Sequence, residues 1–207
     1  MSNGKFIVFE GIDGSGTTTQ CKLAADWLGT RSVRVTETFE PTDGIIGKVI
    51  RQALSCKMPG CEGEELAPEL FALLFASDRM HHIGGKVVPA LERGEWVLSD
   101  RCYLSSFAYQ SVDCDLDWVC TLNKHVRRAD LTLLLDLDAE AAFTRFATTR
   151  ANHEVFETVE KMTAIRENYL KIADILRAEG DRIVMIDASP PAEEVAAQIQ
   201  TAISELL

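Results

Sequence analysis

Near-continuous apolar runs recur along the chain, at Lys5–Glu10, Val33–Thr38, Glu95–Asp100, Leu131–Leu137 and Arg182–Ala188. Runs of this kind, without strict alternation, predict strands buried on both faces of a parallel sheet. Between them the apolar positions fall at helical spacing. Thr18–Leu28 carries Leu23, Trp27 and Leu28 on one side, and Glu64–His81 carries Leu66, Leu70, Leu73 and Leu74. Residues 157–180 predict a long amphipathic helix ended by Gly180, and residues 192–207 a last helix after Asp187–Pro191. Strands alternating with helices predict an α/β fold, a doubly wound parallel five-stranded sheet with helices on both faces. No Pro/Gly/Ser-rich linker divides the 207 residues, so a single domain is expected over 1–207.

Sheets of this type bind ligands beyond the carboxyl ends of their strands. The first run leads there directly into a glycine-rich turn, Gly11, Ile12, Asp13, Gly14, Ser15, Gly16, Thr17, Thr18, Thr19. The spacing is that of the phosphate-binding P-loop, G-x-x-x-x-G-K-[ST], except that Thr17 stands where lysine is expected. The glycines allow close approach of backbone to ligand, and successive N–H groups form a nest for phosphate at the positive end of a helix. Thr18 is placed to ligate Mg²⁺. A hydrogen bond to a charged group contributes about 1.5–3 kcal/mol, so an uncompensated loss of the lysine would slow catalysis on the order of 10–100-fold. A cation from elsewhere is therefore expected.

Composition narrows the partners. No apolar run approaches the ~18 residues of a membrane span. Lys5 is followed by only a short apolar run, a poor secretion signal, so a cytoplasmic location is expected. A net charge of −11 argues against a nucleic-acid partner but is compatible with a small phosphorylated ligand held by a few arginines. The six cysteines form no C-x-x-C pair and are expected as reduced thiols. "CKMPGC" lacks a second pair of ligands at zinc-site spacing.

The segment "LSDRCYLSSFAYQ" (Leu98–Gln110), together with "FIVFEGIDGSGTTTQ", "TFEPTDGIIGKVIRQAL" and "FALLFASDR", closely resembles the thymidylate kinase family. The resemblance continues through "DLTLLLDLDAEAAFTR", "FETVEKMTAIRENYLKIAD" and "IDAS" to cover the full length. It implies a P-loop NTPase fold with a short lid at about 143–157, phosphorylation of dTMP to dTDP by Mg-ATP in dTTP biosynthesis, and a homodimer. It also implies site roles. Residues Gly11 to Thr19 and Arg145 would hold ATP, Arg145 stacking on adenine, with Thr18 and Asp100 on the metal. For dTMP, Phe75 would stack on thymine, Arg79 reach the base edge, Ser106 bond the base and Tyr109 pack near C2′. Asp13 would grip the 3′-hydroxyl, Arg101 the phosphate, and Gln110 add a polar contact. Asp100, Arg101 and Arg150 are the implied catalytic residues.

The chain departs from the family pattern in places. Cys102 follows Asp100-Arg101 where an aromatic or histidine is usual, and Phe39 occupies a position that is often arginine. Lys48 and Arg51 are the nearest basic residues in sequence to that second gap. The lid offers Arg145 and Arg150, the latter being the candidate for the charge missing at Thr17, while His153 is expected to be a plain surface histidine. Two alternatives stay open: a kinase for another deoxynucleotide, and a nucleotide-binding protein with weakened or lost catalysis.

Overall fold

The computed structural model describes residues 4–55, 66–149 and 158–207, the side chains of 146–149 excepted. Cys56, Cys61, Arg150, His153 and most of the expected lid lie outside that description. Five strands, β1 (Phe6–Glu10), β2 (Val35–Phe39), β3 (Trp96–Asp100), β4 (Leu131–Asp136) and β5 (Ile183–Asp187), form one sheet in the order β2-β3-β1-β4-β5. Every pairing is parallel. Successive strand side chains point to opposite faces. All five residues of β1 and the first five of β4 are buried, so both sheet faces are covered there. The edge strands β2 and β5 are more exposed.

The helices are α1 (Thr17–Thr30), α2 (Ile45–Leu54), α3 (Pro68–His82), α4 (Val88–Glu92), α5 (Tyr103–Gln110), α6 (Leu116–Asn123), α7 (Ala139–Thr149), α8 (Val159–Ala178) and α9 (Ala192–Ser204). A π-helical turn, Ile83–Val87, joins α3 to α4. Helix α8 opens on Thr158, whose side chain accepts the Lys161 N–H, and Gly180 follows its end at φ 102°. Among the described residues no helix is long and apolar enough to cross a membrane.

Small and polar residues set the inward faces of two helices. Leu23 on α1 is 36% exposed, because the buried side is made by Gln20, Cys21, Ala24, Ala25 and Leu28. On α3 the leucine stripe is not the core face. Leu73 and Met80 are 47% and 52% exposed, while Ala72, Ala76, Asp78, Arg79 and His82 turn inward. Small and paired polar side chains let α3 approach the β2–α2 turn, where Thr42 donates from both its N–H and its hydroxyl to the Asp78 carboxylate, each at 2.7 Å.

Candidate active site

The glycine-rich turn leaves the carboxyl end of β1 and opens α1, with Gly16 as N-cap at φ 95°. Gly14, at φ 83°, also needs the left-handed region, and a Cβ there would run into the Ala142 carbonyl oxygen. The first turn of α1 presents N–H groups that a helix cannot satisfy internally, aimed into a cleft lined by Asp13 through Lys22. Thr17, 6% exposed, lines the same cleft at the lysine position. Gly11 and Ile12 sit behind it: Ile12 is a core residue, and neither lines the cleft.

Strand register sets Phe9 opposite Asp100 and so brings the end of β3 beside the loop. The Thr18 hydroxyl donates to Asp100 Oδ2. The other Asp100 oxygen, Oδ1, is buried without a hydrogen-bond partner. A hydroxyl and a carboxylate side by side, one oxygen left over, are hard oxygen donors that fit Mg²⁺. Arg101 follows at φ 74°, a conformation unusual for a residue with a Cβ. Its own backbone holds it there, the N–H donating to Phe9 O at 2.8 Å and the carbonyl accepting from Ser99 Oγ at 2.7 Å. The guanidinium reaches Asp13 Oδ1 at 2.5 Å, Ser105 Oγ at 3.2 Å and Tyr169 OH at 3.1 Å, and lies over the Tyr109 ring. The Tyr109 hydroxyl accepts the Asp13 N–H at 3.1 Å, tying α5 to the loop.

Beneath Arg101 lies Glu10, the last residue of β1 and fully buried. Its carboxyl accepts from Cys102 N–H at 2.9 Å, Ser105 Oγ at 2.5 Å and Tyr169 OH at 3.2 Å. Burial outweighs these donors and the nearby arginines and lifts its pKa from the ordinary 4.5 to about 7. The folded chain therefore keeps a proton that the unfolded chain has released between those pH values. The residue's contribution to stability is complete below about pH 4.5 and is lost as pH rises through 7.

Arg79, expected at the base edge, sits behind the cleft wall and bonds the cleft-lining Ser106. It is 1% exposed and does not line the cleft. Its nitrogens donate to Glu40 Oε2 at 2.9 Å, Ser106 Oγ at 2.9 Å, Asn123 Oδ1 at 2.6 Å and the Cys102 carbonyl at 3.1 Å. The second Glu40 oxygen meets His82 Nδ1 at 2.9 Å, and His82 Nε2 lies 2.7 Å from Thr38 Oγ1. A buried guanidinium must be paired, and the residues that pair it fix it under the cleft floor. Ser106 remains on the cleft wall with its hydroxyl accepting from Arg79.

Phe75, Tyr109, Gln110 and Arg145 all line the cleft. Arg145 donates to Ala188 O at 2.9 Å and Ser189 O at 3.0 Å, beside Pro190, Pro191 and Val195. Phe39 is 41% exposed on the wall, and Arg51 lines the cleft while bonding the Pro41 and Thr42 carbonyls at 2.8 and 2.6 Å. Lys48 is not a lining residue. Sequence reasoning missed Phe71 and Lys161 on the wall, and the buried Glu10, Glu40, His82 and Asn123. A charged residue ending an otherwise apolar run was the available signal for Glu10. Cys21, Cys102, Cys114 and Cys120 are free thiols, and burial pushes Cys21 and Cys102 well above the usual thiol range, as inert side chains.

Buried polar atoms are normally satisfied. Among the described residues the side-chain atoms without a partner are Ser15 Oγ, Gln20 Oε1, Asp100 Oδ1, Gln110 Oε1 and Arg127 Nε, and the first four belong to residues lining this cleft. Its volume, about 1570 Å³, exceeds the ~300–1,000 Å³ that suits one small ligand.

A protein-family model described as Thymidylate kinase matches residues 9–199. The chain is similar to a probable thymidylate kinase of Thermococcus kodakarensis, 38% identical over 98% of both chains. It is also similar to those of Pyrococcus horikoshii, 41% identical over 83% of this chain and 84% of the relative, and Methanococcus maripaludis, 42% identical over 81% and 77%. With the loop, the Asp100-Arg101 pair and the large cleft in one place, and matches that span nearly the whole sequence, the chain belongs to the thymidylate kinase family.

Proposed function

We propose that the chain transfers the γ-phosphoryl group of ATP to dTMP, giving dTDP and ADP. The observation that carries this reading is one cleft of about 1570 Å³ that takes in the glycine-rich loop, Asp100 and Arg101 and is lined by four residues with an unpartnered buried polar atom. ATP lies with its base between Arg145 and the Pro190–Ala192 turn and its phosphates on the α1 amides. The dTMP base lies against Phe75 and beside Ser106, with Tyr109 under the sugar and Gln110 as a further polar contact. Arg101 holds the acceptor phosphate, and Arg51 supplies the second cation that Phe39 does not.

The acceptor phosphate is already ionised, so no general base is needed. A phosphate oxygen attacks the γ-phosphorus in line with the departing ADP oxygen, and positioning with charge stabilisation does the rest. Asp100 and Thr18 would hold Mg²⁺, which when bound neutralises charge on the transferring phosphoryl group. Arg150, assigned from sequence alone, supplies the cation missing at Thr17. The face of α3 that exposes Leu73 and Met80 fits a second copy of the chain in a homodimer, and a net charge of −11 disfavours a nucleic-acid partner.

The test is an acceptor panel. With Mg-ATP, dTMP should be turned over at a kcat/KM at least about tenfold above dUMP and dCMP, a methyl-sized difference in an apolar slot being worth about 1–3 kcal/mol. Thymidine should be inert. Equal turnover of all the monophosphates would overturn the assignment of dTMP.

A further inference from the structure

We propose that Glu10 is a positioning residue for the acceptor phosphate, fixing the Arg101 guanidinium through Ser105 and Tyr169. The inference rests on the reading of Arg101 as the dTMP-phosphate ligand. Arg101 Nη1 donates to both hydroxyl oxygens, at 3.2 and 3.1 Å, and both hydroxyls donate to the same oxygen of Glu10, at 2.5 and 3.2 Å. The two hydroxyl oxygens are themselves 2.8 Å apart. Each hydroxyl has a single hydrogen. When Glu10 is ionised it takes both hydrogens, and the lone pairs of Ser105 and Tyr169 are left to the guanidinium. When Glu10 is protonated its own O–H must be accepted by one of these hydroxyls, which turns part of that acceptor capacity away from Arg101. The negative charge behind the guanidinium is lost as well, and Asp13 Oδ1, 2.5 Å from Nη2, is left as the stronger pull. Arg101 lines the cleft and Glu10 does not, so a phosphate bound there meets the cation rather than the carboxylate.

The groups around Glu10 do not share its titration. Cys102, on the β3–α5 turn, and Tyr169, on α8, are pushed well above their usual ranges by burial and stay neutral near pH 7. Arg79 on α3 and Arg101 stay cationic, both held above the ordinary arginine value by their acidic partners despite burial. Farther out, Asp13 and Tyr109 face Arg101, while Glu40 and His82 face Arg79. Of Glu10, Cys102, Tyr169, Arg79 and Arg101, Glu10, with a pKa of about 7, is the one that changes charge there.

The experiment is a pH profile of KM for dTMP from pH 6 to 8.5 in the full chain with saturating Mg-ATP, for wild type, Glu10→Gln, Ser105→Ala and Arg101→Ala. Apparent affinity scales with the fraction in the competent state, so wild-type KM should rise about tenfold between pH 8 and pH 6. The second ionisation of a phosphate monoester, near pH 6, acts on every enzyme alike and cancels in the comparison. Glu10→Gln should hold KM for dTMP near the wild-type low-pH value across the range, with KM for ATP unchanged. Ser105→Ala removes a donor that lowers the Glu10 pKa, so its midpoint should lie above that of wild type. This variant leaves Glu10 in place, and it carries the test if Glu10→Gln does not fold. A Glu10→Gln profile parallel to wild type, or a Ser105→Ala midpoint equal to or below it, overturns the proposal while Arg101→Ala still raises KM for dTMP more than tenfold. An unchanged KM in Arg101→Ala would instead overturn the reading of Arg101 on which the proposal stands.

Discussion

Replacing Asp100 by Asn is expected to lower kcat on the order of 10²-fold and to raise the Mg²⁺ concentration needed for half-maximal rate, with little change in KM for dTMP. The substitution keeps the shape of the side chain at the end of β3 and its bond with Thr18. What it removes is the charge on a carboxylate whose Oδ1 has no protein partner, the oxygen that fits a hard cation beside the phosphate-binding loop. Loss of a charge-assisted interaction of about 1.5–3 kcal/mol corresponds to roughly 10–150-fold. Steady-state rates across a magnesium titration provide the check. An unaltered kcat with an unaltered magnesium midpoint would remove Asp100 from the metal site.

The largest stability effect is expected at Glu40→Ala. Arg79 is 1% exposed, and Glu40 is its carboxylate partner at 2.9 Å while also meeting His82. Breaking a buried ion pair from one side costs about 3–5 kcal/mol, because the remaining charge stays where water cannot reach it. For a domain of this size each kcal/mol lowers Tm by about 2–4 °C, so a fall of about 10 °C is expected by calorimetry or circular dichroism. A fall below about 2 °C would show that Ser106, Asn123 and the Cys102 carbonyl suffice to hold the guanidinium. The same fall should appear in nucleotide-free protein, since Arg79 lies outside the cleft.

The sheet was legible because its physics is local. Residues such as Phe9 and Leu133 lie in apolar runs buried at nearly every position, and a parallel sheet covered on both faces demands that pattern. Helix α5 was not read from periodicity. It has 8 residues, and several of its polar positions, Ser105, Ser106 and Tyr109, serve the cleft floor. The inward face of α3 was not legible for a related reason: a stripe of leucines suits a core face and a subunit contact equally, and the interior here takes Asp78, Arg79 and His82 because Thr42 and Glu40 meet them. The family resemblance could name Arg79 as important, but not that a carboxylate 39 residues earlier in the chain would neutralise it. Glu10 shows the same limit. Its neighbours Ser105 and Tyr169 come from α5 and α8, and only the folded arrangement gives that carboxyl its environment.

The most direct measurement is a calorimetric titration of the wild-type chain with the magnesium complex of a non-hydrolysable ATP analogue, in the presence of saturating dTMP. If amide groups of the Gly11–Thr18 turn, together with Thr18 and Asp100, seat a triphosphate despite threonine at position 17, one analogue should bind per chain with a Kd between about 1 μM and 1 mM, the range in which enzymes commonly hold their substrates. Absence of saturable heat at millimolar analogue would contradict the account, and with it the kinase reaction assigned to this cleft.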